Sequence, residues 1–157
     1  MSQNLIITDS GCLIALERID RMDILPSLFG EVWIPPAVSQ EFGSSLPWLK
    51  VVLPKDQGMI TALKLSVDDG EAEAIALAYE YQGVLIVDDL QARKVAQRLG
   101  LQITGTVGIL IIAKKKGIID SVKGAIDSLE SVGFYVGASL KEQALKMAGE
   151  VSGGSDR

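Results

Sequence analysis

The sequence predicts an α/β protein built on a parallel β-sheet. Two short runs, residues 5–8 and 84–87, are almost entirely apolar and have the length of a strand. Strands of a parallel sheet are covered on both faces, so they show continuous apolar runs rather than an alternation of apolar and polar residues. Segments with helical patterning separate these runs along the chain. This alternation of strand and helix favours right-handed crossovers and one parallel sheet.

Four segments are predicted to be parallel strands, and two more are predicted to be extended. The run 84–87 is β-branched at all positions except Leu85, which favours a buried strand. Pro47 and Pro54 bound another segment and favour an edge position for it, because proline has no N–H to donate. The predicted strands are residues 5–8, 32–34, 84–87 and 101–104, with 48–53 as an extended edge segment and 134–136 as a short further strand.

Helices are predicted between the strands from capping residues, helix-favouring runs and terminating glycines. Ser10 is an N-cap candidate, and Pro36 suits a first helical turn. Asp68 or Asp69 is predicted to cap a helix of small residues that ends at Gly83 in the C′ position. The predicted helices cover residues 10–19, 20–29, 36–42, 57–65, 68–82, 89–99, 107–116, 119–131 and 139–148.

Length and composition favour one domain with a substantial core. A chain of 157 residues has the size of a single domain, and neither an internal repeat nor a linker indicates a second one. We expect one domain over residues 1–149 and a disordered Gly/Ser-rich tail over residues 150–157. No apolar run reaches the ~18 residues of a membrane span, and the N-terminus lacks the basic segment of a signal peptide. These features predict a cytoplasmic protein.

The residue types limit the chemistry. Cys12 is the only cysteine and there is no histidine, which excludes Ser-His-Asp and Cys-His catalysis, His-ligated zinc and thiolate clusters. No Gly-x-Gly-x-x-Gly follows the first strand, and the glycine pair around Thr106 lacks the Gly-Lys-Ser/Thr ending of a phosphate loop. The net charge of −5 argues against a broad surface that coats nucleic acid. Acid/base or metal chemistry must therefore rely on carboxylates.

Several acidic residues follow predicted strands or begin predicted helices. Asp9 follows the first strand, and Asp88 and Asp89 follow the strand 84–87, so they belong at the same edge of a parallel sheet. Glu41 and Glu71 lie on helices between these strands. Converging carboxylates need a cation between them to remain ionised. Oxygen ligands alone favour Mg²⁺ or Mn²⁺, which can activate water and stabilise the displacement at a phosphodiester.

Each acid also has a simpler structural interpretation. Asp9 could cap the first helix, and Asp88 and Asp89 could cap the helix that follows them. Glu41 taken singly is more readily explained as a solvated helix residue. Glu71 and Glu73 lie in a first helical turn, where the helix dipole favours acids, and at most one of the two can point into a site. Basic residues on the next helix, Arg93 and Lys94 among them, are candidate RNA contacts, although such residues are more often solvated. It is the joint arrangement of the acids that favours a metal site.

Four segments resemble the PIN-domain family, the nuclease fold of VapC-type toxins. They are IITDSGCLIAL at 6–16, IPPAVSQEF at 34–42, DDGEAEAIALA at 68–78 and LIVDDLQARKVAQRLGLQITGTVGIL at 85–110. The last two are similar to a prokaryotic PIN-like subgroup. The resemblance implies a three-layer α/β/α sandwich with a central parallel sheet, and a cluster of acids that binds Mg²⁺ or Mn²⁺ for RNA cleavage.

By position, the resemblance makes Asp9, Glu41, Glu71 and one or both of Asp88 and Asp89 the metal-binding and catalytic acids. Ser10 becomes a supporting hydroxyl, and Glu73 is a substitute for Glu71. Two positions depart from the pattern of many toxins, which have Asp at the third acidic place and Thr-x-Asp in the last motif. The resemblance further implies a homodimer, an RNA substrate and, for a toxin, an antitoxin protein.

Three functional hypotheses follow. The first is a metal-dependent endoribonuclease, the toxin of a toxin–antitoxin pair, and the second is a catalytically silent module that binds protein or RNA. A phosphoryl-accepting receiver domain is disfavoured because no lysine follows the late strand at residues 104–106. Apolar residues on the early helices also suggest a homodimer, because one small core does not require them all. These residues include Leu25, Leu28, Phe29 and Trp48, of which Trp48 could equally belong to the core.

Overall fold

A computed structural model describes residues 4–150 and contains one five-stranded sheet in the order β3-β2-β1-β4-β5. All four strand pairs are parallel, as the sequence predicts. The central pair aligns Ile6 with Val84 and Thr8 with Ile86. The strands are β1 (Ile6–Thr8), β2 (Val32–Ile34), β3 (Leu49–Val51), β4 (Val84–Ile86) and β5 (Ile103–Thr104).

Helices cover both faces of the sheet. Within residues 4–150 they are α1 (Ser10–Arg18), α2 (Ile24–Phe29), α3 (Pro36–Phe42), α4 (Gln57–Leu63), α5 (Asp69–Tyr81), α6 (Leu90–Arg98), α7 (Thr106–Lys115), α8 (Val122–Ser131) and α9 (Ala138–Met147). The result is an α/β/α sandwich. None of these helices has the length and apolar content needed to cross a membrane.

Alternate residues of the central strands contribute to two different cores, which explains their continuous apolar runs. Ile6 and Ile86 pack with residues of α1, α2, α7, α8 and α9. Ile7 and Leu85 belong to the opposite cluster, which contains residues of α5 and α6. Because successive side chains of a strand point to opposite faces, a strand covered on both sides needs apolar residues at every position.

The end of α5 differs from the prediction in one detail. Gln82, not Gly83, adopts the left-handed conformation after the helix, with φ of 53°. Gly83 is required for a different reason: a Cβ there would lie 2.5 Å from Ile7 Cδ1 and 2.9 Å from the Leu5 carbonyl oxygen. The glycine therefore allows the start of β4 to approach β1 closely.

The predicted strand at residues 134–136 is wrong, because this segment pairs with no strand and connects α8 to α9. Val136 is nevertheless buried, and Phe134 packs on the same core. The sheet ends at β5, so these apolar residues pack against helices instead of pairing. An apolar triplet predicts burial, but it does not by itself decide between pairing and packing.

The apolar residues that suggested a homodimer pack in the core, and one of them, Trp48, lies in the turn before β3 rather than on a helix. Leu25 is fully buried, and Leu28, Phe29 and Trp48 are half-buried and pack on the same cluster. The expectation that one small core does not require them is therefore wrong, and a homodimer needs another basis. Residues 20–23 also form a turn rather than the start of a helix, so α2 begins at Ile24 with Pro26 in its first turn.

Glu150, the first residue of the predicted disordered tail, is held in place by several contacts. Its carboxylate accepts hydrogen bonds from Lys114 Nζ at 2.8 Å and from the Val122 amide at 2.6 Å. Residues 151–157, over which the rest of that tail was predicted, lie outside the described residues.

Candidate functional site

Asp9 occupies the edge of the sheet at which β1 and β4 end. Its backbone N–H donates to the carbonyl of Ile86 at 3.0 Å, which places it beside the last residue of β4. Asp9 has the N-cap position of α1 but its side chain makes no capping hydrogen bond. Its Oδ1 is buried and has no hydrogen-bond partner among residues 4–150. A buried polar atom without a partner is unfavourable unless a ligand or cation satisfies it.

The electrostatic environment disfavours ionisation of Asp9. Burial makes the largest contribution and is partly offset by a hydrogen bond from the Ser10 amide. The negative charges of Asp68, Glu41 and Asp88 add to the effect of burial, and together they raise the pKa of Asp9 to about 6. A carboxyl group in this environment is protonated below about pH 6, and a bound cation would favour its ionised form.

Glu41 reaches the same region from α3. Ser10 Oγ donates to Glu41 Oε1 at 2.9 Å, so a residue of α1 holds the carboxylate of α3. Gly70, in the first turn of α5, lies against both acids: a Cβ there would be 2.7 Å from Glu41 Oε1 and 3.5 Å from Asp9 Oδ1. The absence of a side chain at Gly70 therefore keeps the space between α5 and these two carboxylates open. We refer to Asp9, Glu41 and Gly70, together with Asp68, as the acidic site.

Glu71 is buried and forms a capping box with Asp68. The Glu71 amide donates to Asp68 Oδ1 at 2.8 Å, and the Asp68 amide donates to Glu71 Oε1 at 3.1 Å. Burial makes the largest contribution to the pKa of Glu71, the hydrogen bond from Asp68 opposes it, and the charges of Asp68, Asp89 and Asp9 add to it. The resulting pKa is about 7. Because of the capping box, the carboxylate of Glu71 points back to the start of its own helix. Its charge nevertheless interacts with that of Asp9.

Asp68 was predicted only as a helix cap, but it also contributes to the acidic site. It is exposed and lines a cleft of about 710 Å³ together with Glu41, Gly70 and Lys64. Its charge raises the pKa of both Asp9 and Glu71. The sequence signal that could have identified it is the pair of acids before Gly70, which matches a capping role equally well.

Asp88 and Asp89 have different structural roles. Asp88 accepts hydrogen bonds from the Thr106 amide at 2.8 Å and from Thr106 Oγ1 at 2.6 Å, so it connects β4 to the start of α7. Asp89 caps α6 by accepting from the Ala92 amide at 2.9 Å. The charge of Asp88 raises the pKa of Asp9, and that of Asp89 raises the pKa of Glu71. Thr106, a buried hydroxyl that orients Asp88, was not predicted; the only signal for it was its place at a helix start after a glycine.

The remaining candidates lie outside the acidic site. Glu73 accepts from the Ala37 amide at 2.9 Å and thereby satisfies a free N–H in the first turn of α3. Arg93 Nη1 donates to the Val87 carbonyl at 2.8 Å, and the side chain lines a second cleft together with Asp88. Lys94 is exposed on α6.

The donor set fits a hard cation bound through few protein ligands. Within residues 4–150, no three Cys, Asp or Glu side chains are positioned to bind one ion together as they stand. Mg²⁺ commonly uses one or two carboxylates, with water and substrate phosphates as its other ligands. The buried, unpartnered Oδ1 of Asp9 and the nearby Glu41 carboxylate provide such a pair of oxygen donors.

Comparison with known proteins agrees with this architecture. The protein-family model DUF3368, a PIN domain, matches residues 5–150. None of the curated proteins compared matches the chain significantly in sequence. The family match covers all five strands and every residue of the acidic site, and so this chain belongs to the PIN domain family.

Proposed function

We propose that this protein is a ribonuclease that cleaves RNA phosphodiester bonds at a Mg²⁺ or Mn²⁺ ion bound by its carboxylates. PIN domains are generally nucleases. The observation that carries the proposal is the Oδ1 of Asp9, which is buried without a partner at the strand ends, within reach of the charges of Glu41, Asp68 and Asp88. Such an atom is unfavourable unless a cation, a proton or a hydrogen-bond donor satisfies it, and the surrounding negative charges favour a cation.

Asp9 and Glu41 would hold the ion, and Asp88 would complete the site directly or through water. When bound, the ion supplies an activated water and stabilises the charge that develops on the phosphate. Ser10 fixes the carboxylate of Glu41, and Thr106 fixes that of Asp88. Such contacts orient the ligands of metal sites and are needed for full affinity. Glu71, with a pKa of about 7, can hold or release a proton near neutral pH.

The biological setting is also a proposal. Similarity to VapC-type toxins suggests that this ribonuclease is the toxin of a toxin–antitoxin pair that acts in the cytoplasm. A small antitoxin-like reading frame beside the gene would support this assignment. Its absence would argue against the toxin role but not against ribonuclease activity.

The alternative is a catalytically silent PIN-like module that binds RNA or protein. The observation that favours it is the engagement of three acids in structural hydrogen bonds: Glu71 in a capping box, Asp88 with Thr106 and Asp89 as a helix cap. A silent module would retain these contacts because they position helices. It would bind its partner equally well with and without divalent metal.

Cleavage of single-stranded RNA with and without Mn²⁺ tests the proposal. Asp9→Asn preserves size and removes a charged ligand, so we expect a loss of roughly 10²-fold or more in the cleavage rate. Glu17→Gln, an exposed acid on the same helix, is the matched control and should cleave as the native chain does. Cleavage that survives both Asp9→Asn and chelation would refute the metal mechanism. RNA binding without cleavage, unaffected by metal, would favour the silent module.

A further inference from the structure

A second cleft lies beside the acidic site, and Asp88 lines it. The cleft has a volume of about 440 Å³ and is bounded by residues of α6, β5, α7 and α9. The larger apolar side chains that line it are Leu90, Ile103, Val107, Ile111, Leu140 and Met147. This volume is in the range of sites that enclose a small molecule or a single nucleotide.

Several apolar side chains at this cleft are exposed to solvent. Leu90 on α6 is 74% exposed, and Leu140 and Met147 on α9 are 48% and 61% exposed. The three side chains come from two helices but line the same cleft. Exposed apolar residues that converge in this way are typical of a binding surface, whereas scattered ones are not.

Polar side chains also line this cleft. Arg93 is held by its hydrogen bond to the Val87 carbonyl, and its other N–H groups form no hydrogen bond within residues 4–150. A guanidinium has five N–H donors, so several remain free for a ligand. Gln143, on α9, adds an exposed amide with both a donor and an acceptor. Asp88 lines this cleft and follows Ile86 by two residues, and the Ile86 carbonyl accepts from the Asp9 amide, so the cleft and the acidic site are adjacent.

We infer that this cleft binds one unstacked nucleobase of the RNA substrate, next to the phosphate that is cleaved; the inference rests on the proposed ribonuclease function. Bases of single-stranded RNA can be turned out of the strand and bound between apolar side chains or on arginine planes. Leu140 and Met147 would contact the faces of the base, and Gln143 would bind its edge. Arg93 would offer positive charge to the adjoining phosphate, which the acids alone would repel.

The test measures binding of a short single-stranded RNA in chelator, by fluorescence anisotropy, with one abasic position scanned along the strand. We expect the native chain to lose affinity roughly 10-fold or more at one position, as for loss of a stacked base. Leu140→Glu and the milder Gln143→Ala should weaken binding of intact RNA and be insensitive to the abasic change at that position. Tyr79→Ser is the control: it removes an exposed large side chain from the end of α5 remote from the site.

The outcomes separate this inference from the proposed function. If RNA is cleaved but both cleft variants bind and cleave like the native chain, the cleft is not a base site although the ribonuclease stands. If the abasic effect is present in the native chain and absent from both cleft variants, but no metal produces cleavage, the cleft binds a base and the nuclease proposal fails. If Leu140→Glu instead abolishes a dimer without changing RNA affinity, the cleft is an interface between copies and the inference is overturned.

Discussion

Asp9 has an ionisation equilibrium that can be followed without an activity assay. Its pKa rises from an ordinary 3.8 to about 6, so the folded chain retains a proton over a pH range in which the unfolded chain has lost it. The contribution of Asp9 to the stability of the folded chain is therefore greatest below about pH 4 and decreases as the pH rises through about 6. Glu71, with its pKa of about 7, extends the same trend to neutral pH.

Asp9→Asn should remove the contribution of Asp9 to this pH dependence. In chelator at about pH 7.5, we expect the variant to be more stable than the native chain by on the order of 1 kcal/mol, after allowance for solvent screening. At about pH 4 the two should be equal. Urea unfolding at both pH values measures the difference, and Mn²⁺ should stabilise the native chain only. Equal stability of the two chains at both pH values would show that the pKa of Asp9 is not raised in the folded protein.

Gly70 is the residue at which a single methyl group tests the acidic site. In Gly70→Ala the new Cβ would lie 2.7 Å from Glu41 Oε1, so the carboxylate of this flexible side chain must move. We expect weaker Mn²⁺ binding by calorimetry, with little loss of stability because alanine favours the helix by up to about 1 kcal/mol.

Gly58→Ala is the matched control for this change. Gly58 has the same place in the first turn of α4 that Gly70 has in α5, and its Cβ would make only an ordinary contact of 3.5 Å with Asp56 Oδ1. The control should gain similar helix stability and bind Mn²⁺ as the native chain does. Unchanged binding in Gly70→Ala would place the ion elsewhere.

At the scale of elements, Glu150 attaches the end of α9 to α7 and α8. Burial opposes its ionisation, but hydrogen bonds from Lys114 and from the amides of Lys123 and Val122 lower the pKa of Glu150 to about 2. These contacts also satisfy free N–H groups in the first turn of α8 and place a negative charge there. A residue outside every helix thus fixes the position of α9, which forms one wall of the second cleft.

Glu150→Gln should destabilise the domain by roughly 1–2 kcal/mol at neutral pH, because it loses charge-assisted hydrogen bonds. The stabilisation from ionised Glu150 is present above its ordinary pKa of 4.5 and is lost as the pH falls towards about 2, so native chain and variant should converge there. Urea unfolding at about pH 7 and about pH 3 provides the measurement. Glu142→Gln, an exposed acid of α9, should have no effect; an equal effect of both would argue against a specific attachment.

At the scale of the whole molecule, a homodimer remains a prediction with a revised basis. Strand β3 forms one edge of the sheet; its last residue, Val51, is 51% exposed, and Leu53, two residues after it, is 65% exposed. An exposed apolar edge strand favours pairing with a second chain. We expect a dimeric mass by light scattering at micromolar concentration, and Leu53→Lys should convert it to a monomer.

Leu65→Lys is the control for that experiment, because Leu65 is 89% exposed after α4 and does not adjoin β3 in the chain. The control should keep the dimeric mass. A native chain that is monomeric across the concentration range would contradict the prediction, and dissociation by Leu65→Lys alone would move the interface to α4.

The sequence by itself determined the positions of the strands in the sheet, because each strand is specified by its own apolar run and by the glycines and prolines that bound it. Strands β1, β2, β4 and β5 lie where their residues predict, and β3 lies within the predicted edge segment. The same local pattern could not show whether residues 134–136 pair or only pack, since both bury them. The acids Asp9, Asp88 and Asp89 follow their strands in any parallel sheet, so their shared edge was also predictable.

Only the tertiary structure decided what each acid contacts. Glu73 binds an amide 36 residues away, Glu41 is held by Ser10 across 31 residues, and Asp88 bonds to Thr106 18 residues later. Local pattern does not reveal such partners, because each depends on how two helices or a strand and a helix pack. The same packing buries Asp9 Oδ1 without a partner and places Asp68 where its charge raises the pKa of Asp9. Residue types and strand positions therefore predict that carboxylates meet at this edge, whereas long-range packing decides which of them remain free to bind a cation.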